Sequence, residues 1–167
     1  MPFSTKGIAN AILNRAREDG EELRPLKLQK LLYYAAGYFG AAYGEPLLDS
    51  TIEAWDYGPV VPEIYREFRD CGSAPIRRLA TDINWNVEDG EADFLPVPIP
   101  TDPRVARVID YVWNTYKGYT GPQLSDMTHR DGTPWKITRD ENPGVRGVDI
   151  PHELIVQHFR PLVRRPN

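Results

Sequence analysis

Apolar residues recur at helical spacing through most of the chain. Ile8, Ala9, Ile12, Leu13 and Ala16 fall on one face of a segment from about Ser4 to Asp19, and Gly20 supplies its stop. A second helix starts near Pro25, a residue at home in a first turn, and runs to Tyr43 before Gly44. Leu28, Leu31, Leu32, Ala35, Phe39 and Ala42 form its stripe, and Lys27 and Lys30 are expected on its wet side. Past Leu31 it is apolar nearly all round, which predicts the central helix of the fold. A third helix follows Pro59 or Pro62, carries Ile64, Tyr65 and Phe68 on one face, and ends at Gly72. The fourth has Asp102 as cap, Pro103 at the first helical position, and a stripe of Val105, Val108, Ile109, Val112 and Tyr116. A fifth opens on Thr120-Gly-Pro-Gln123, the spacing of a capping box. The C-terminal segment from Asp149 to about Arg160 places Leu154, Ile155, His158 and Phe159 on one side, and Pro161 should end regular helix.

Strand signals are few. "TIEAW" is one candidate, and "FLPVPIP" is another, confined by its prolines to an edge or a polyproline-like path. Thr81 to Asp93 holds five carboxylates and no Lys or Arg, and reads as a solvated loop or as an acidic contact for a basic partner. The predicted class is mainly α with a small β element. A compact single-domain helical fold is expected over residues 1–167, with residues 81–100 as an acidic and proline-rich loop or edge segment and residues 161–167 as a basic tail.

Composition narrows the setting. A chain of 167 residues is most simply one domain, burying about 70% of its unfolded surface without a disulfide or metal staple. One cysteine, Cys71, excludes an intrachain disulfide framework, and MPFSTKGIAN does not read as an export signal, so a reducing, cytoplasmic location is expected. The charge-free run Leu31–Tyr43 is shorter than the ~20 residues of a membrane span. A net charge of −4 argues against non-specific nucleic-acid binding.

Candidate chemistry concentrates in "LSDMTHRDGTPW", residues 124–135. Asp126 and His129 stand three apart and could pair on one helical face, with Asp131 and Thr133 close behind, so a hydrolase-like general base can be written down. The same letters also spell a folded corner. His129 and Arg130 fall in a last helical turn where cations suit the dipole, Gly132 suits a left-handed stop, and Thr133-Pro134 caps another turn carrying Trp135. The capping fit favours the corner. "HELIVQH" is not a zinc-protease helix, because His152 and His158 are six apart and so not on one face. No nucleophile with a matched base and no phosphate-binding glycine loop is visible, and no cofactor is expected. A helix–turn–helix reader over 120–139 would have only Arg130, Lys136 and Arg139 as cations, set in acidic surroundings, so a DNA-binding autoregulator is the weaker reading.

"EAWDYGPVVPEIYREF", residues 53–68, begins with strand alternation and ends with helical spacing, with Gly58-Pro59 as the break between them. In a strand Ile52 and Ala54 share one face, and Trp55 and Tyr57 the other. Two readings stay open: the aromatics pack under the following helix, or they stand outward as anchors for a partner.

Three blocks, "LKLQKLLYYAAGY" (26–38), "EAWDYGPVVPEIY" (53–65) and "LSDMTHRDGTPW" (124–135), resemble in order the signature segments of the Panacea domain, typical of SocA-like antitoxins and phage-associated GepA proteins. The resemblance runs from Lys6 to about Trp135 and does not extend to 94–103 or beyond Asn142. It implies a non-enzymatic antitoxin that neutralises a cognate protein toxin by direct binding. For SocA-like members it also implies an adaptor delivering the toxin to an ATP-dependent protease such as ClpXP. The matched positions Trp55, Tyr57, Gly58, Pro59, Val60, Thr128, His129 and Trp135 are implied as a signature surface or scaffold for partner binding.

Overall fold

A computed structural model describes residues 1–86 and 90–163. Among the described residues seven α-helices form: α1 (Thr5–Glu18), α2 (Pro25–Tyr43), α3 (Pro62–Phe68), α4 (Pro103–Tyr116), α5 (Gly121–Thr128), α6 (Pro134–Glu141) and α7 (His152–Phe159). Apolar spacing anticipates all but α6, for which the sequence offered only a capped turn carrying Trp135. Strands β1 (Glu53–Trp55), β2 (Gly58–Val60) and β5 (Val148–Asp149) form a small antiparallel sheet in the order β2-β1-β5. Strands β3 (Thr81–Asn86) and β4 (Glu91–Pro96) make a separate hairpin. Two caps are those the sequence expects: the Asp102 carboxylate accepts from the Arg104 amide, and Thr120 and Gln123 complete a capping box. Ser4 adds a third, its hydroxyl accepting from the Gly7 amide. No helix among the described residues is long and apolar enough to cross a membrane.

Helix α2 is the axis. Every residue from Leu28 to Gly40 is buried, because α1, α3, α4, α5, α7 and β2 all lie against it. The all-round apolar pattern therefore does mark the central helix. Gly37 and Gly40 let α7 approach: a Cβ on Gly37 would sit 2.2 Å from Phe159 Cδ2, and one on Gly40 2.9 Å from Val156 Cγ2. The Phe159 ring, wholly buried, meets Tyr33 and Tyr38 edge-on at 5.5 and 5.0 Å, while Tyr34 stacks on Tyr116 of α4 at 4.1 Å. Such ring pairs add roughly 0.5–1.5 kcal/mol each beyond area burial.

The expected wet side of α2 does not exist. Lys30 is 0% exposed, and its ammonium nitrogen donates to the Pro59 carbonyl at 2.9 Å. Lys27 is half-buried, donating to the Lys117 carbonyl at 2.7 Å and lying 5.5 Å over the Trp113 ring. Both faces are covered by elements remote in sequence, which helical spacing does not register. Burial pulls the Lys30 pKa from 10.5 down to about 7.

Three further expectations are corrected. Residues 81–86 and 91–93 are strand rather than loop: β3 pairs with β4, Ile83 opposite Phe94 and Asp82 opposite Leu95, and of the three prolines in FLPVPIP, Pro96 ends β4 while Pro98 and Pro100 lie beyond it. The alternation is hidden because Ile83, Phe94 and Leu95 are all at least half exposed. Glu88 and Asp89 lie outside the described residues, as do residues 164–167 of the basic tail. Gly58-Pro59 is not a plain break, since both belong to β2. The C-terminal helix starts at His152, because Asp149 is taken into β5 against Glu53. Buried Asn10 ties the base of the β3–β4 hairpin to α1, donating to the Ala80 and Val97 carbonyls and accepting from the Ala80 amide.

Two outcomes follow from this packing. Gly37→Ala should destabilise the fold by about 1–3 kcal/mol through forced displacement of Phe159, measured as a lowered urea midpoint with an unchanged slope. The unfolded chain keeps its proton on Lys30 above about pH 7 and the folded chain does not, so stability should rise with pH from about 7 until the tyrosines titrate near pH 10. The slope from this group reaches up to about 1.4 kcal/mol per pH unit, and urea titrations of Lys30→Met across that range should show it lost.

Candidate partner-binding surface

The β1–β2 hairpin carries backbone groups into the interior, where each needs a partner. Side chains from α2, α5 and α6 provide them. Gln29 of α2 pairs twice with Val61: its amide nitrogen donates to the Val61 carbonyl at 3.1 Å, and its oxygen accepts from the Val61 amide at 2.8 Å. Lys30 holds the Pro59 carbonyl, and the Ser125 hydroxyl of α5 donates to the Tyr57 carbonyl. From α6, Trp135 Nε1 donates to the Trp55 carbonyl at 2.6 Å. Arg139 donates to the Ala54 carbonyl at 3.3 Å and to the Asp56 carboxylate at 3.0 Å. At Gly58 (φ 113°) a Cβ would sit 2.7 Å from Thr128 Oγ1 and 2.9 Å from Lys30 Cε, so only glycine fits.

The residues singled out in the sequence meet here but do different work. Gly58, Pro59, Val60 and Thr128 are buried, and Trp55, His129 and Trp135 half-buried; Tyr57 is 73% exposed. Thr128 Oγ1 donates to the Ser125 carbonyl at 2.6 Å, and the Thr128 carbonyl accepts from Thr133 Oγ1 at 2.7 Å. Trp55 leans edge-on against Tyr65 of α3 at 4.9 Å, and its indole nitrogen donates to Glu53 at 2.9 Å. The two readings of the aromatic pair thus divide: Trp55 packs against the next helix, and Tyr57 stands out.

Tyr57 overlooks a groove of about 630 Å³ between the hairpin, the start of α2 and α3. Leu28, Val60, Ile64 and Phe68 contribute to its apolar lining from the core side, and Trp55, Tyr57 and Tyr65 frame it. Tyr65, 42% exposed, is the wall residue the sequence offered but its helical stripe assigned to the core. Gln29, Lys30, Ser125 and Arg139 gave no sequence signal, because their partners are backbone carbonyls 29 to 85 positions away.

The polar constellation of residues 124–135 forms a corner. The His129 amide donates to the Asp126 carbonyl at 3.1 Å as the helix closes, but among the described residues no side-chain hydrogen bond joins the imidazole to Asp126 or Asp131, both of which are exposed. The His129 ring stacks on Trp135 at 4.0 Å, and its Nε2 is buried without a partner among the described residues. Burial first, then the Lys30 amine, hold its pKa below the ordinary value against an opposing pull from Asp126. It is therefore a neutral stacking partner, not the expected cation at the end of α5. Gly132 (φ 83°) and the Thr133 cap complete the corner as the letters spelled it. Two of the three cations offered to DNA are engaged within the chain: Lys136 with Asp140 at 2.8 Å, and Arg139 with Asp56. No cluster of three or more His, Cys, Asp or Glu able to hold a metal occurs among the described residues, and Cys71 is a half-buried free thiol.

Residues 28–136 match the family described as "Antitoxin SocA-like, Panacea domain". The chain is 32% identical over 160 residues to Antitoxin SocA of Caulobacter vibrioides (strain NA1000 / CB15N), covering 93% of this chain and 81% of that protein. No solved structure matches it. The matched span takes in Gln29 and Lys30, the whole β1–β2 hairpin, and the α5–α6 corner through Trp135. By that match and that identity, the chain belongs to the SocA-like antitoxin family and carries its Panacea domain.

Proposed function

We propose that this protein is the antitoxin of a bacterial or phage toxin–antitoxin pair, and that it neutralises its cognate toxin by direct binding at the Tyr57 hairpin and the groove beneath it. The observation that carries the reading is the clamped hairpin. Five of its backbone carbonyls, from Ala54 to Val61, are captured by side chains, so Tyr57 is presented at 73% exposure on a support that needs little ordering on binding. A rigid aromatic beside an apolar groove is the usual form of a binding anchor. Trp55, Val60 and Tyr65 extend the contact, while Gly58, Pro59, Thr128, His129 and Trp135 serve as its scaffold. Family membership supports the antitoxin role, and the His129 ring, stacked on Trp135 with no side-chain hydrogen bond to Asp126 or Asp131, favours a binding protein over an enzyme. Delivery of the bound toxin to an ATP-dependent protease of the ClpXP type, in the cytoplasm, is the finer part of the proposal and rests on the resemblance to SocA-like members.

Co-expression with the product of the neighbouring open reading frame tests this. That product should arrest growth alone, be rescued by this chain, and co-purify with it. Tyr57→Ala should weaken the complex by about 2 kcal/mol, roughly thirtyfold in Kd, with helical circular dichroism unchanged. A neighbour that is neither toxic nor bound removes the reading, and so does a Tyr57→Ala protein that binds as tightly as the parent.

A further inference from the structure

The groove's rim carries both signs of charge, in a chain that is acidic as a whole at −4. Four charged side chains line it: Glu53, Asp56, Arg69 and Arg146. Asp56 is ion-paired with Arg139 at 3.0 Å and Arg146 at 4.0 Å, whereas Glu53, on the hairpin side, accepts from the neutral Trp55 indole at 2.9 Å and keeps its charge. Arg69, exposed at the α3 end, forms no ion pair among the described residues, and the neighbouring Asp70 is held by Arg78 at 3.3 Å. The apolar lining thus ends at an unmatched guanidinium, a group suited to fork onto a carboxylate.

The occupant is a protein segment and not a small amphiphile, because of where the aromatic surface lies. Tyr57 and Tyr65 are 73% and 42% exposed, so much of their ring area stands proud of the cavity. A molecule filling the groove alone would leave that area wet, whereas a peptide chain crossing it would cover both rings.

We infer that the groove receives a segment of the toxin presenting a large apolar side chain with an acidic residue close beside it, the apolar group seating between Tyr57 and Tyr65 and the carboxylate pairing with Arg69. This rests on the antitoxin reading for the identity of the partner, though not for the chemistry of the groove. The pairing gives specificity by sign: a basic flank in the same position meets Arg69 with like charge.

The test uses the full chain and short fluorescein-labelled peptides sharing one Leu-Ala-Ala-Leu-Phe core, flanked by Asp-Glu, Gln-Gln or Lys-Lys, read by fluorescence anisotropy. The acidic-flanked peptide should bind about tenfold tighter than the basic one. Arg69→Glu should invert that order, and Arg107→Glu, an equal charge change on exposed α4 surface, should leave it intact. Equal affinities, no binding by any peptide, or an order unmoved in Arg69→Glu would overturn the inference. Saturable binding of decanoate with no peptide bound would also overturn it, and would assign the groove to a small apolar acid. Pull-downs of the neighbouring frame's product run in parallel to separate the two readings. A toxin retained equally by the parent and Arg69→Glu chains sinks the groove inference and leaves the antitoxin reading standing. Charge-selective peptide binding without any toxin neutralised does the reverse.

Discussion

Much of the molecule follows from the complete enclosure of one helix. With every position of α2 from Leu28 to Gly40 buried, its polar side chains have no water to turn to. Gln29 and Lys30 must find partners inside, and what faces them is the backbone of the β1–β2 hairpin. The hairpin has the complementary need. It has only three residues per strand, and its carbonyls at Pro59 and Val61 point inward, where an unpaired group costs roughly 1–3 kcal/mol. Each side removes the other's penalty, so loss of Lys30 would affect the hairpin before the helix.

The same logic extends outward. Ser125 and Trp135 hold carbonyls at Tyr57 and Trp55, and Thr133 folds the α5–α6 corner so that Trp135 can reach. Of the eight positions that the sequence singled out, four are buried and only Tyr57 is largely exposed, so most of them bear on how the surface is held rather than on what it touches.

Electrostatics separates the interior from the rim. Inside, burial lowers the pKa of both Lys30 and His129, so the two basic groups beneath the hairpin are held toward neutrality. At the groove rim, Arg139 and Arg146 match the charge of Asp56, while Arg69 at the α3 end has no ion pair among the described residues. The β3–β4 hairpin is the counterpart, carrying Asp82 and Asp93 on exposed strands and tied to α1 through Asn10 and through Lys6, which donates to Asp82 at 3.0 Å.

Sequence by itself determined most of the helices of this protein, their order, and the caps of α4, α5 and the Thr133 turn. Apolar spacing, prolines at first turns and glycines at stops are local properties, and α1, α2, α4 and α5 fall where those signals put them. It also determined that α2 is central, since an all-round apolar pattern has one physical meaning, and that Ile52 and Ala54 share one face, which the fold turns inward. Tertiary structure alone decided the rest. Lys30 looks like a surface lysine until a hairpin 29 residues away covers it. Residues 81–93 read as a loop because the side chains described on β3 and β4 are mostly exposed on both faces and show no alternation to read. Strand β5 is two residues long and exists only because β1 offers it an edge. The groove is assembled from α2, β1, β2 and α3, with Arg146 and Gly147 brought in from far along the chain. A binding surface of this kind depends on which side chains converge and which charges are already paired, and both are settled only when distant segments meet.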